Sequence, residues 1–463
     1  MTAAMPRLVL AAASSGAGKT TVAVALAAAL RRRGLRVAPF KCGPDYLDPT
    51  WHARAAGAPS HNLDGWMMGR EASLATFGRA SAGAGARADI ALVEGVMGLF
   101  DGASPRGEEG STAEMAKWLG APVIAVLDAS GMARTVAAVA HGLATFDPAV
   151  RVAAILANRV GSRRHADLLR EALAPRVLAG ALPDVEELRF PERHLGLFAA
   201  DAAVLGDAAL ARWAEIAEEW IDLDGLLALA RDVAPLDVPA AATSSPSGAA
   251  RCRIGVAFDE AFHFYYEDNL ARLESLGAAL VRFSPVRDAA LPDVDGLLLG
   301  GGYPEEHAGA LAANVPMRDA IRAFVQAGRP VYAECGGLMY LAGAIRTRDG
   351  AEHPMVGLVP GVAAVRPRLA ALGYAEVETR APTVLGPAGL RFRGHEFRYS
   401  ELEGMPEGAP RAYAVRRRRG SEPFAEGYGE GSVLASYIHA HWASCPAAAE
   451  GFVAACAASR RSG

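Results

Sequence analysis

AAASSGAGKTT (Ala11–Thr21) follows directly on the apolar run Leu8-Val9-Leu10 and leads into a long alanine-rich stretch. The segment ends as a phosphate-binding loop does, in Gly18-Lys19-Thr20, but alanine stands at position 13, where the usual pattern opens with glycine. Such a loop works because small residues free consecutive backbone N–H groups to surround phosphate oxygens at a helix N-terminus. The lysine adds charge, and the Ser/Thr hydroxyl serves Mg²⁺. Here a strand-like run precedes the loop, and TTVAVALAAALRRRG (20–34) reads as a helix ended by basic residues and a glycine. Ser15, Gly16, Ala17, Gly18, Lys19, Thr20 and Thr21 are therefore the candidate nucleotide-binding residues. Ala13 weakens the pattern but not the mechanism. The plainer alternative is a small-residue turn that happens to contain Gly-Lys-Thr, and the flanking strand and helix speak against it.

Outward from the loop, short apolar runs alternate with helical patterns. RLVLAAA (7–13), RVAPFK (36–41), DIALVEG (89–95), APVIAVLD (121–128) and VRVAAILANR (150–159) read as strands. Their apolar runs lack alternation, which fits a parallel sheet covered on both faces, and the rhythm predicts a doubly wound α/β domain. LDVPAAATSSPSGAAR (236–251) has no periodicity and reads as a linker. After it the rhythm restarts with RIGVAFD (253–259), a helix over 265–277, ALVRFSP (279–285), GLLLGGG (296–302), a helix over 315–328 and PVYAE (330–334). The expected division is a phosphate-loop domain over 1–235, the linker over 236–251 and a second α/β domain over 252–463. RRRR (416–419) reads as a solvated loop.

Bulk properties narrow the class. The chain has 463 residues, half of them hydrophobic, and a formal charge of −4, so composition gives no reason to invoke nucleic acid or an acidic membrane. Five scattered cysteines without CxxC pairs argue against disulfide or zinc scaffolds and for a reducing, cytoplasmic setting. The run after Arg7 is too short for a signal peptide's core, and no stretch reaches the ~18 apolar residues of a membrane span.

A Mg-nucleotide site needs acidic groups at the ends of neighbouring strands. Glu94 stands immediately after the run Ile90-Ala91-Leu92-Val93 and is the firmest candidate. Asp45 and Asp48 in PFKCGPDYLDP (39–49) and Asp101 in GLFDG are further candidates, with turn chemistry an equal alternative for each. In the second half, VYAECGGLMYL (331–341) puts Cys335 between a strand and a helix that opens with two glycines. A thiol at such a turn is exposed to substrate, and N–H groups at Gly336 and in the glycine turn Gly301-Gly302 suit an oxyanion. The base comes late, as His439 at the end of a strand-like run in SYIHAHW (436–442). A buried structural cysteine and an unrelated histidine is the plainer alternative.

Together these motifs resemble a known family. AECGG, GGGYPEEH and SYIHAHW are similar to the class I glutamine amidotransferase domain of the cobalamin-pathway type. SSGAGKTT, PFKCGPDYLDP, VEGVMGLFDG and PERHLGL (191–197) are similar to the dethiobiotin-synthetase-like synthetase domain. In this order over nearly the whole chain, they resemble the cobyrinic and hydrogenobyrinic acid a,c-diamide synthases. The resemblance implies an ATP- and glutamine-dependent ligase acting on a corrin macrocycle, with Mg²⁺ as cofactor. It implies that Cys335 attacks the glutamine amide with His439 as base, and that ammonia displaces phosphate from an acyl phosphate. Lys19 and the loop amides would hold the β- and γ-phosphates, and Thr20, Glu94 and Asp45 the metal. Tyr46, Asp48 and Asp101 would organise the macrocycle carboxylate or metal, and Asn158 would read the base. In common class I amidotransferases a glutamate stands two residues after the histidine; His441 stands there in this chain. Cobyric acid synthase and the nickel sirohydrochlorin a,c-diamide synthase share the domains and are rival readings. A partitioning ATPase would carry a lysine where Ser14 stands and would lack the second half. A homodimer is one assembly open to the chain.

Overall fold

The computed structural model describes residues 5–83, 85–190, 192–193, 196–197, 205–239, 250–418 and 422–462. Ten residues of the expected linker (240–249), and Pro191, His194 and Leu195 of PERHLGL, lie outside the described residues. The chain divides into two compact units, Met1–Ala241 and Ala242–Gly463.

The first unit runs β1 (Arg7–Ala12), α1 (Lys19–Arg32), β2 (Val37–Cys42), α2 (Asp48–Ala56), β3 (His61–Leu63), α3 (Gly65–Ala82), β4 (Ile90–Glu94) and α4 (Thr112–Leu119). It continues β5 (Val123–Asp128), α5 (Thr135–Thr145), β6 (Val152–Val160), α6 (Arg163–Leu173) and β7 (Leu178–Pro183). A small pair, β8 (Glu192–Arg193) and β9 (Gly196–Leu197), precedes α7 (Asp207–Trp220) and α8 (Leu223–Arg231). The sheet order is β3-β2-β4-β1-β5-β6-β7 and every pairing is parallel. Along β1, Leu8 and Leu10 pack with α1, α7 and α8, while Val9 and Ala11 pack with Phe40, Phe77 and Leu119 on the opposite face. Both faces of the strand are dry, which is why its sequence does not alternate. Parallel strands deliver their carboxyl ends to one edge, so β1, flanked by β4 and β5, opens its loop beside Glu94.

The second unit runs β10 (Cys252–Ala257), α9 (Glu267–Ser275), β11 (Ala278–Phe283), β12 (Gly296–Leu299), α10 (Ala308–Ala313), α11 (Val315–Gln326), β13 (Val331–Glu334) and α12 (Gly336–Leu341). Then come β14 (Ala342–Arg346), β15 (Glu352–Pro354), β16 (Val359–Val365), β17 (Ala371–Thr379), β18 (Arg391–Arg398), β19 (Ser400–Glu403), β20 (Arg411–Arg417) and β21 (Phe424–Glu430). The chain finishes with β22 (Val433–Ser436), β23 (His439–His441) and α13 (Pro446–Ser462). Ten strands form one sheet in the order β11-β10-β12-β13-β22-β21-β20-β17-β18-β23, and β15-β14-β16-β19 form a smaller one. The parallel α/β core extends only from β11 to β22; beyond it the pairings are antiparallel.

Two sequence expectations need correction. Arg416 and Arg417 lie in β20 rather than in a solvated loop, because Arg417 reaches across to the buried carboxylate of Glu396 at 2.6 Å; Arg419 lies outside the described residues. His439 opens the short strand β23 instead of ending one.

Candidate active sites

In the first unit the chain leaves β1 through residues 13–18 and enters α1 at Lys19. Gly16 and Gly18 take φ of 79° and 88°, the left-handed region that glycine enters without a Cβ penalty. At Gly18 a Cβ would stand 2.0 Å from Asn158 Nδ2, so space as well as conformation requires glycine. No side chain caps the first turn of α1, and no acidic residue lies in it, which leaves its N–H groups and dipole for an anion. Lys19 is buried and donates to the carbonyls of Met97 at 2.6 Å and Ser14 at 3.3 Å. Burial first, then Lys41, holds its pKa below the ordinary value.

Glu94 ends β4 in register with Leu10 of β1 and Lys41 of β2. Its Oε1 accepts from Thr20 Oγ1 at 2.8 Å and from Lys41 Nζ at 2.7 Å; its Oε2 lies 2.5 Å from His52 Nε2. Lys41 Nζ also lies 2.5 Å from Asp48 Oδ2. Burial works against the Glu94 charge, yet Lys41 and His52 hold the carboxyl well below the usual carboxylate range. Burial likewise opposes the Lys41 charge, and Asp48 and Glu94 overcome it. Burial and then Asp45 push Asp48 up to about 7. Lys41 and His52 were not among the sequence candidates. A lysine inside the apolar run VAPFKC was the available signal, because a buried ammonium demands a carboxylate partner.

The remaining candidates spread around this centre. Asp45 Oδ1 accepts from the N–H of Leu47 (2.7 Å) and Asp48 (2.9 Å), so that oxygen shapes the turn into α2. Asp101 Oδ2 accepts from Gly98 N at 2.9 Å, in the loop that also presents Met97 O to Lys19. Tyr46 is half-buried in the turn before α2. Asn158 is buried against the phosphate loop and donates to Ala17 O at 3.0 Å. That contact braces the loop backbone.

In the second unit Cys335 sits at the turn from β13 to α12 with φ 46° and ψ −98°, outside the favoured regions for a residue with a Cβ. Its N–H donates to Ser436 O at 2.7 Å and pins the turn to β22. Burial first, then Glu305, pushes the thiol up to about 12. A Cβ on Gly336 would lie 3.1 Å from Gly302 N, and one on Gly301 would lie 2.4 Å from His439 Cε1. The two glycine turns, the thiol turn and His439 therefore converge. Both candidates also border β18: Cys335 Sγ lies 3.9 Å from Phe397 O, and His439 is the cross-strand partner of His395. Burial first, then His395, pushes His439 down to about 3, so its imidazole is neutral.

No described helix is long and apolar enough to cross a membrane. Residues 8–198 match the CobQ/CobB/MinD/ParA nucleotide-binding domain, and residues 253–447 match the CobB/CobQ-like glutamine amidotransferase domain. The chain is 49% identical to a cobyrinate a,c-diamide synthase of Leptospira interrogans over 98% of each chain. It is 51% identical to one of Syntrophotalea carbinolica over 97% of this chain and 98% of the relative. It is 45% identical to a hydrogenobyrinate a,c-diamide synthase of Stutzerimonas stutzeri over 96% and 97%. With a nucleotide-binding unit and an amidotransferase unit matched end to end, the chain belongs to the cobyrinate and hydrogenobyrinate a,c-diamide synthase family.

Proposed function

We propose that this chain amidates the a and c carboxylates of a corrin macrocycle, cobyrinic or hydrogenobyrinic acid, using ATP and glutamine. One observation carries the reading: the likeness to relatives of that name runs through both units, over 98% of the chain. At Cys335, His439 takes the thiol proton as the sulfur attacks the glutamine amide carbon, then returns it to the nitrogen; the C–N bond breaks, ammonia leaves, and water hydrolyses the remaining thioester to glutamate and free thiol. Gly301, Gly302 and Gly336 surround the position where the oxyanion forms. At the phosphate loop a substrate carboxylate oxygen attacks the γ-phosphorus of ATP and ADP leaves. Ammonia then attacks the acyl carbon and phosphate departs.

The residues of the first site suit these roles. Lys19 and the N–H groups from Ser15 to Thr21 hold the phosphates. A hydroxyl and a carboxylate 2.8 Å apart at a helix N-terminus, Thr20 and Glu94, are the hard-oxygen donors that fit Mg²⁺. When bound, Mg²⁺ neutralises charge on the phosphate oxygens. Lys41 keeps Glu94 ionised, and Asp48, Asp101 and Tyr46 border the place for the substrate carboxylate. We assign the chain to the cytoplasm, which suits five unpaired thiols, and leave a homodimer to be read by light scattering. The test is mass spectrometry after incubation with ATP, Mg²⁺, glutamine and, separately, cobyrinic acid, hydrogenobyrinic acid and nickel sirohydrochlorin. Two carboxylate-to-amide conversions on a corrin are expected; product from the nickel macrocycle alone would overturn the assignment.

A further inference from the structure

The amidotransferase site lacks a carboxylate two residues after its histidine, and the residue there cannot supply one. His441 is fully buried, its ring lies against Tyr266 at 4.8 Å, and its Nδ1 accepts from Ala443 N at 3.4 Å. Burial pushes it down to about 3, so it carries no charge to orient or balance a second imidazole. The other ring beside His439, His395, lies 6.3 Å away between centroids and is likewise held neutral by burial.

A carboxylate approaches from a different strand. Glu334 ends β13, immediately before the nucleophile, and its Oε2 lies 3.9 Å from His439 Nδ1 with both side chains buried. That distance is longer than a hydrogen bond, as catalytic contacts often are before substrate arrives. What aims the group is its other oxygen. Oε1 accepts from Tyr332 Oη at 2.7 Å and from Ala440 N at 3.0 Å. One carboxylate thus ties down the backbone on the C-terminal side of His439 and presents its free oxygen to the ring. We propose that Glu334 is the positioning residue of this site, taking the place of the missing carboxylate and fixing the His439 tautomer with its proton on Nδ1.

The consequence is physical. His439 must become an imidazolium when it takes the thiol proton, and its buried site opposes that charge. Burial pushes Glu334 up to about 7; in its ionised form it faces Nδ1, offsets that cost and leaves Nε2 unprotonated to act as the base. The neighbouring positions of Glu334 and Cys335 also mean that one strand end sets both the nucleophile and the orienting group. This inference rests on reading Cys335 and His439 as nucleophile and base.

Glu334→Gln separates this role from a merely structural one. The amide keeps an oxygen for Tyr332 and Ala440, but turns an N–H₂ donor toward Nδ1 and so favours the wrong tautomer. In the full chain, kcat for glutamine hydrolysis should fall by roughly 10³-fold or more, with the KM for glutamine, amidation from ammonia and the thermal midpoint unchanged. Glu334→Asp, which keeps the charge, should restore part of the rate. Wild-type hydrolysis by Glu334→Gln would overturn the proposal. Cys335→Ala, measured beside it, reports on the underlying reading: normal hydrolysis there would remove the site itself, whatever Glu334 does. Should Glu334→Gln fail to fold, the wild type decides. Nitrogen NMR of ¹⁵N-histidine-labelled protein, assigned against His439→Asn, should show His439 protonated on Nδ1 near neutral pH. A proton on Nε2 would overturn the proposal.

Discussion

The two sites handle charge in opposite ways. Around the phosphate loop, Lys41, Glu94 and His52 lie in contact and the principal charges are already in place, with Glu94 held ionised although buried. Around Cys335, burial pushes the thiol up and His439 down, so the site itself opposes a standing thiolate–imidazolium pair. The difference follows from what each site meets. A site for a charged ligand can be built from charges fixed in advance, because the ligand brings its own charge with it. A site for neutral glutamine gains nothing from a standing thiolate, which would be open to oxidation and stray electrophiles.

The contrast predicts that charge removal in the first unit damages diamide synthesis whatever the nitrogen source. Lys19→Ala should lower diamide synthesis by roughly 10²–10³-fold or more, from glutamine and from ammonia alike, as loss of a clamp on a transferring phosphoryl group does. Near-normal turnover at saturating ATP would break the phosphate-loop assignment. Glu94→Gln comes next. Because Glu94 is a candidate metal group, its neutralisation should slow turnover. The structure adds a folding cost, because the change leaves Lys41 buried with one carboxylate fewer. We expect about 3 kcal/mol lost in denaturant titration, on the scale of a broken buried ion pair, together with a weakened Mg²⁺ dependence.

Smaller effects sharpen the comparison. Gly18→Ala meets both a left-handed backbone and Asn158, whereas Gly16→Ala meets only the backbone, with open space around it. The first should raise the KM for ATP strongly. The second should cost about 1 kcal/mol in stability, read as a thermal midpoint lower by only a few degrees. Equal effects would mean that the packing of Asn158 under the loop is immaterial. Smallest of all, Arg417→Ala removes one of two arginines on Glu396 and is half-exposed, so roughly 0.5 kcal/mol is expected, with no change in glutamine hydrolysis.

Much of this was legible in the residues. The strand-loop-helix around Gly18, Glu94 at a strand end and Cys335 at a turn are local patterns, and local patterns survive translation into three dimensions. Residues 371–430 are harder to read, because their strands alternate charge in a way that suits a solvated surface. Only pairing reveals a sheet, as when Glu378 and Arg391 face each other across β17 and β18 at 2.9 Å. Glu334 was hidden for a related reason: its partner His439 lies more than a hundred residues away, and nothing in AECGG points to it. Lys41 was hidden inside an apolar run.

The central claim is a division of labour, with nitrogen released in one unit and carboxylates activated in the other. It is tested most directly by diamide formation in Cys335→Ala and wild-type protein, each supplied with glutamine and, separately, with ammonium salt at a pH where free ammonia is appreciable. The account predicts that the variant makes no diamide from glutamine and wild-type amounts from ammonia, because only the thiolate is lost and a small side chain at a turn leaves little cavity. A folded variant that makes diamide from glutamine, or none from ammonia, would contradict it.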